Sequence, residues 1–115
     1  MSHAEKTSID IFQKLLLGFF NRQTEKVKDK IDYVLFLVSV ADRIPTKFFD
    51  QMTDSDGLFE IKIEFEGNIF RIFCCFDEGN LVVLFNAFQK KTQKTPKKVI
   101  EKALQIKEEY FNHKN

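Results

Sequence analysis

The stretch from Leu58 to Phe88 limits the fold of this chain more than any other feature, because it holds three strand-like runs separated by glycine-bearing reversals. In the first run Phe59, Ile61, Ile63 and Phe65 alternate with Glu60, Lys62 and Glu64, the pattern of a strand with one apolar and one wet face. Glu66-Gly67 supplies a tight turn, Ile69 to Phe76 form the second strand, and Asp77-Glu78-Gly79-Asn80 turn the chain again. Leu81 to Phe88 make the third strand. It is almost wholly apolar, as expected at the centre of a sheet.

Helical periods flank this meander. From Asp10 the residues Phe12, Leu15, Leu16, Phe19 and Phe20 recur at helical spacing, which predicts a helix over about residues 11–21 with Asp10 and Gln13 as a capping box. A second helix starts near Thr24 with Val27, Ile31, Val34, Leu35 and Val38 on one face, and the two should pack as a hairpin. Ile44-Pro45 stops it, Thr46 to Met52 suit one short helical turn, and Thr53 to Gly57 read as a loop. Thr95-Pro96 opens a closing helix that runs to about Phe111. The expected fold class is α+β: an N-terminal helix hairpin on a three-stranded antiparallel meander, then a C-terminal helix. Whether Thr7 to Ile11 add an opening strand is left open by the pattern.

The 115 residues suffice for one domain spanning 1–115, and 14 Phe with no Trp make phenylalanine the main filler of its core. Cys74 and Cys75 are strand neighbours that point to opposite faces, so they read as reduced packing residues rather than a disulfide. With His3 and His113 near the two ends and no ligand spacing, no metal and no other cofactor is expected. The start lacks a charged leader with an apolar run and cleavage site, and Leu15 to Leu17 are too few to cross a bilayer; the expected compartment is the cytoplasm, away from membranes. A net charge of +1 is silent on nucleic acid, so the distribution of charge has to decide.

Two features of that distribution stand out. A hairpin closed through Glu66-Gly67 sets Phe65 opposite Asn68 and therefore Lys62 opposite Arg71, on the face away from the apolar one. Like charges in that position are destabilising. Either Glu60 and Glu64 neutralise them in a solvated ladder, or the two cations clamp a phosphate, Arg71 through its planar fork and Lys62 as a point charge. The second feature is Lys90-Lys91-Thr92-Gln93-Lys94-Thr95-Pro96-Lys97-Lys98, a segment without acids that enters the last helix. Lysines at a helix start oppose its dipole; the segment is either a solvated basic loop or a phosphodiester contact.

Three segments carry a resemblance: Asp56 to Lys62 (Asp-Gly-Leu-Phe-Glu-Ile-Lys), Asn68 to Phe73 (Asn-Ile-Phe-Arg-Ile-Phe), and Phe88 to Pro96 with its Phe-x-Lys-Lys-x-x-x-Thr-Pro signature. Together they resemble the phage-derived, HigB-like branch of the RelE/ParE toxin superfamily, from about Val27 to Phe111. The resemblance implies a RelE-like fold and a metal-independent endoribonuclease that cuts messenger RNA on the translating ribosome. It further implies an antitoxin partner, often one with a helix-turn-helix DNA-binding domain. Carried over by position, Lys62, Arg71 and Lys91 are the candidate catalytic residues, with Arg71 stabilising the phosphate and Lys91 or Lys62 moving the proton. Lys90, Lys94 and Lys97 are candidate contacts to the substrate backbone. Two alternatives stay open on the same fold: a non-enzymatic ParE-like toxin that inhibits a protein such as gyrase, and an inactive antitoxin-binding module.

Overall fold

The computed structural model describes residues 8–11, 14–40, 49–52, 57–77, 81–91 and 94–113. In chain order the elements are β1 (Ser8–Ile11), α1 (Lys14–Asn21), α2 (Glu25–Val40), β2 (Phe49–Gln51), β3 (Phe59–Phe65), β4 (Asn68–Asp77), β5 (Leu81–Lys90) and α3 (Lys97–His113). The strands form one sheet in the order β1-β5-β4-β3-β2. The meander β3-β4-β5 is antiparallel throughout, β2 extends it antiparallel beside β3, and β1 adds a parallel edge beside residues 81–84 of β5. The expected α+β class holds, but β4 rather than β5 is the central strand, and β5 is flanked on its outer side only along residues 81–84, where β1 pairs with it.

The β3-β4 turn fixes the register that matters most. Glu66 and Gly67 both have positive φ, 49° and 81°, the pair of left-handed conformations that a two-residue hairpin needs to follow the strand twist. Phe65 therefore pairs with Asn68, and Lys62 with Arg71. Further along, Ile72 pairs with Ala87 but Cys74 with Leu84, so β5 carries one extra residue around Phe85-Asn86. That bulge is what sets the side chains of Asn86 and Phe88 on the face they occupy.

Helices cover both faces of the sheet. Leu16 and Phe19 of α1 and Val27, Ile31, Val34 and Val38 of α2 pack with Ile61, Ile63, Phe70, Ile72, Cys74 and Leu84. Phe19 meets Phe70 edge to face with centroids 6.1 Å apart. On the other face, Phe73, Cys75, Val83 and Phe85 pack with Ala103 and Ile106 of α3. Tyr110 then pins that helix to the end of β4, its hydroxyl donating to Asp77 Oδ2 at 2.7 Å.

Several expectations are corrected. Asp10 lies in β1 opposite Val83 rather than at a helix start; α1 begins at Lys14, Gln13 lies outside the described residues, and the opening strand left undecided is real. Phe49 to Gln51 are extended rather than helical, because pairing with β3 offers them a full ladder that three isolated residues cannot find locally. The sheet thus keeps the expected three-stranded meander and adds β1, which was left open, and β2, which was not expected. The second face of the first meander strand is not uniformly wet: Glu60 is buried while Glu64 is exposed. The predicted stop at Ile44-Pro45, most of the loop from Thr53, and Glu78 to Asn80 lie outside the described residues.

Thr24 caps α2 as its position suggested, with its Oγ1 accepting from the Val27 amide at 3.3 Å and its carbonyl from the Lys28 amide at 2.9 Å. Thr24→Ala is expected to lower stability by about 1 kcal/mol, read as a lower urea midpoint at unchanged slope.

The cysteines are free, buried and on opposite faces. Burial pushes the Cys75 thiol up from 9.0 to about 11, partly offset by the nearby charge of Lys107. Burial also raises Cys74 well above its ordinary value. Once the pH passes 9.0 the unfolded chain releases these protons and the folded one keeps them, so stability is full below that pH and falls as pH climbs toward 11. Thermal melts between those limits should show a steady loss, absent in a Cys74→Ala/Cys75→Ala variant, and a thiol reagent should label neither cysteine until the protein unfolds.

Candidate functional site

The α3 face of the sheet carries four charged side chains in two adjacent rows. Asp50, Glu60 and Phe73 form one row across β2, β3 and β4, and Lys62, Arg71 and Phe88 form the next across β3, β4 and β5. Like charges therefore stand directly opposite one another, which costs stability, while opposite charges meet diagonally between neighbouring strands and offset that cost. Arg71 Nη1 donates to Glu60 Oε1 at 2.6 Å, and Lys62 Nζ to Asp50 Oδ2 at 3.3 Å.

The two ion pairs differ in environment. The Arg71 and Glu60 side chains are only 12% and 11% exposed, whereas those of Lys62 and Asp50 are 26% and 49% exposed. Water screens the outer pair and leaves it weak, but the inner pair is charge-assisted in low dielectric. Its contact is a single hydrogen bond. Arg71 Nε and Glu60 Oε2 are both buried without a partner among the described residues. A guanidinium has five donors, so Arg71 retains capacity to bind an anion while Glu60 holds its orientation.

Aromatic rings wall one side of the site. Phe88 stands directly across from Arg71, and its ring stacks on Phe73 with centroids 5.7 Å and planes 14° apart. Lys90 pairs with Ile69, which puts it one row beyond Phe88 on this face and diagonal to Arg71.

Lys62, Arg71 and Lys90 thus come together on three adjacent strands. The remaining candidates lie outside that patch: Lys91 is exposed one residue past β5, Lys94 sits in a bend, and Lys97 is the first residue of α3. The Pro96 carbonyl accepts from the amides of Val99 and Ile100 and so starts that helix. Because Asp50 and Glu60 cancel Lys62 and Arg71, positive potential here comes from this lysine segment.

Sequence reasoning placed Lys62 against Arg71 and named Glu60 as a neutralising neighbour. It missed Asp50, which reaches Lys62 only because β2 is a strand, and it missed Phe88, whose position depends on the bulge. Among the described residues no group of His, Cys, Asp and Glu is arranged to hold a metal ion, and no helix is long and apolar enough to cross a membrane.

A five-stranded sheet between an N-terminal helix pair and a C-terminal helix makes this a small α+β domain. The chain belongs to the family described as Phage derived protein Gp49-like (DUF891), whose model matches residues 18–108. That family is of RelE/HigB-like toxin type and is associated with toxin–antitoxin pairs, so an antitoxin is the partner it suggests. No curated protein matches the chain.

Proposed function

We propose that the chain is a HigB-like toxin of a type II toxin–antitoxin pair, a metal-independent endoribonuclease that cuts messenger RNA on the translating ribosome in the cytoplasm. The observation that carries this reading is the placement of Lys62 directly opposite Arg71, with Lys90 diagonal to it, on a rigid strand face. A domain that needed only to be stable gains nothing from opposing two cations. Asp50 and Glu60 offset most of that repulsion, and a phosphodiester lying across the strands takes up the donors that they leave.

The chemistry follows from the groups present. The ribose 2′-oxygen forms a bond to the adjacent phosphorus as the bond from phosphorus to the 5′-oxygen breaks, leaving a cyclic phosphate and a free 5′-hydroxyl. Arg71 stabilises the charge that grows on the phosphoryl oxygens through the Nη donors that Glu60 does not take. Lys62, directly opposite Arg71, takes the 2′-hydroxyl proton or returns one to the leaving oxygen, and Lys91, which lies outside the strand patch, is the weaker candidate for this step. Lys90, Lys94 and Lys97 hold the strand by its phosphates. DNA has no 2′-hydroxyl and is spared. The antitoxin, carrying a helix-turn-helix DNA-binding domain, keeps the toxin silent.

A second reading draws on the burial of the Glu60–Arg71 pair: the pair is purely structural and the chain poisons a protein target, as ParE-like toxins do. Inducing the chain alone in bacteria separates the two. Growth arrest with messages cut inside translated frames supports the ribonuclease, whereas intact messages with a DNA-damage response support the gyrase-directed alternative. Absence of any arrest points to an inactive antitoxin-binding module.

A further inference from the structure

β1 covers only residues 81–84 of β5, and beyond them α1 and α3 approach the same strand edge from the two faces of the sheet. Between them lies a groove of about 250 Å³. Arg22 just after α1 and Lys98 and Lys102 from the first turns of α3 line it, and no acidic residue does among the described residues. All three cations are exposed, and none forms an ion pair among the described residues. Arg22 lies back over Gly18, where a Cβ would meet its Nη1 at 3.4 Å.

The groove also has an aromatic wall and a buried polar group. Phe88, half-buried, is one wall, and it is the same residue that stands across from Arg71. Asn86 is another lining residue, only 6% exposed. Its Nδ2 donates to the Val99 carbonyl at 3.4 Å, and its Oδ1 is buried with no partner among the described residues. An acceptor kept dry without a donor is costly, so it calls for a ligand that brings a hydrogen-bond donor.

We propose that this groove binds one nucleotide of single-stranded RNA: Arg22, Lys98 and Lys102 take the phosphate, Phe88 contacts the base, and Asn86 Oδ1 accepts from a base amine or a ribose hydroxyl. Cations beside an aromatic face are the usual means of gripping a single strand without reading its sequence. An acidic peptide also satisfies the charges, and its backbone N–H groups can donate to Asn86, so the choice between the two rests on where the groove lies. Continuity with the strand site favours RNA, because Phe88 borders both and Lys90 to Lys98 run from one to the other. The proposal rests on the ribonuclease reading and extends it: a nucleotide next to the cleaved phosphate is held at the β5 edge, between α1 and α3.

The test uses the full chain and a short fluorescent single-stranded RNA of mixed sequence, with binding read by anisotropy over a series of salt concentrations. Arg22→Gln/Lys102→Gln should weaken binding about tenfold at low salt and flatten its salt dependence. Lys26→Gln/Lys30→Gln on α2, which removes the same charge elsewhere, should change it less than about twofold. In labelled protein, adding adenosine or cytidine monophosphate should shift the Asn86 side-chain amide signals. Equal losses in the two double variants, or mononucleotide shifts that leave Asn86 and Phe88 untouched, overturn the groove. So does a groove variant that loses an acidic peptide but keeps RNA. Messages cut in cells while RNA affinity ignores Arg22 and Lys102 would remove the groove and leave the ribonuclease. RNA held in the groove while messages stay intact would do the reverse.

Discussion

Glu60→Ala should lower the folding free energy by about 3–5 kcal/mol, because it leaves the guanidinium of Arg71 nearly buried with no counter-charge. Arg71 donates to Glu60 Oε1 at 2.6 Å and is 12% exposed, so little water is at hand to replace the lost carboxylate. The pair itself is a different matter from the loss of one partner. Taking both charges out of water is expensive, and replacing both with apolar groups of similar volume is often close to neutral. Glu60→Leu/Arg71→Leu should therefore recover most of what Glu60→Ala loses, giving a large coupling energy in a double-mutant cycle from urea unfolding. A loss below about 1 kcal/mol for Glu60→Ala would mean that the pair behaves like a surface salt bridge, and that Arg71 is not held in place by it.

The second large effect concerns activity. Removing one preorganised donor from a site that stabilises a developing oxyanion typically costs about 10²- to 10³-fold in rate. A loss of that size is expected for message cleavage when Arg71 loses its charge. Because Arg71→Ala would strand Glu60 without its partner, the cleaner variant is Glu60→Gln/Arg71→Gln, which keeps a hydrogen bond and removes both charges. Lys62→Gln disturbs folding less, since its partner Asp50 is about half exposed, and it should also depress cleavage if the opposed cations act together. Cleavage that persists in both variants would leave the strand face without a catalytic part and return the second reading to first place.

These expectations depend on residues that differ in how far the sequence exposed them. The opposition of Lys62 and Arg71 was legible because a two-residue hairpin permits one register, and Glu66-Gly67 is the kind of dipeptide that adopts it. The helix pair was legible from its period, and Thr24 from its capping chemistry. The strand at Phe49 was not, because three residues have too little pattern of their own and pair only when β3 is already present. Missing it hid Asp50, and with it the reason that Lys62 is neutralised.

The covering of the second face by α3 was half visible. Glu60, Lys62 and Glu64 pointed to water, but Phe73, Cys75, Val83 and Phe85 share their face and build a core there. An unbroken apolar run, as in β5, is the usual sign that both faces are buried, and that sign outweighs one polar strand beside it. The position of Asn86 followed from a bulge, which depends on how β4 and β5 twist together and leaves no mark in the local sequence. The groove at the β5 edge accordingly came only from the structure.

The account stands on opposed cations gripping an RNA phosphate, and the most direct measurement is a map of RNA 5′ ends in cells that express the chain or its Glu60→Gln/Arg71→Gln variant. New ends carrying a free 5′-hydroxyl should appear inside translated frames with the natural chain and vanish with the variant, which should still fold and accumulate. The same ends in both samples, or none in either while growth stops, would contradict it.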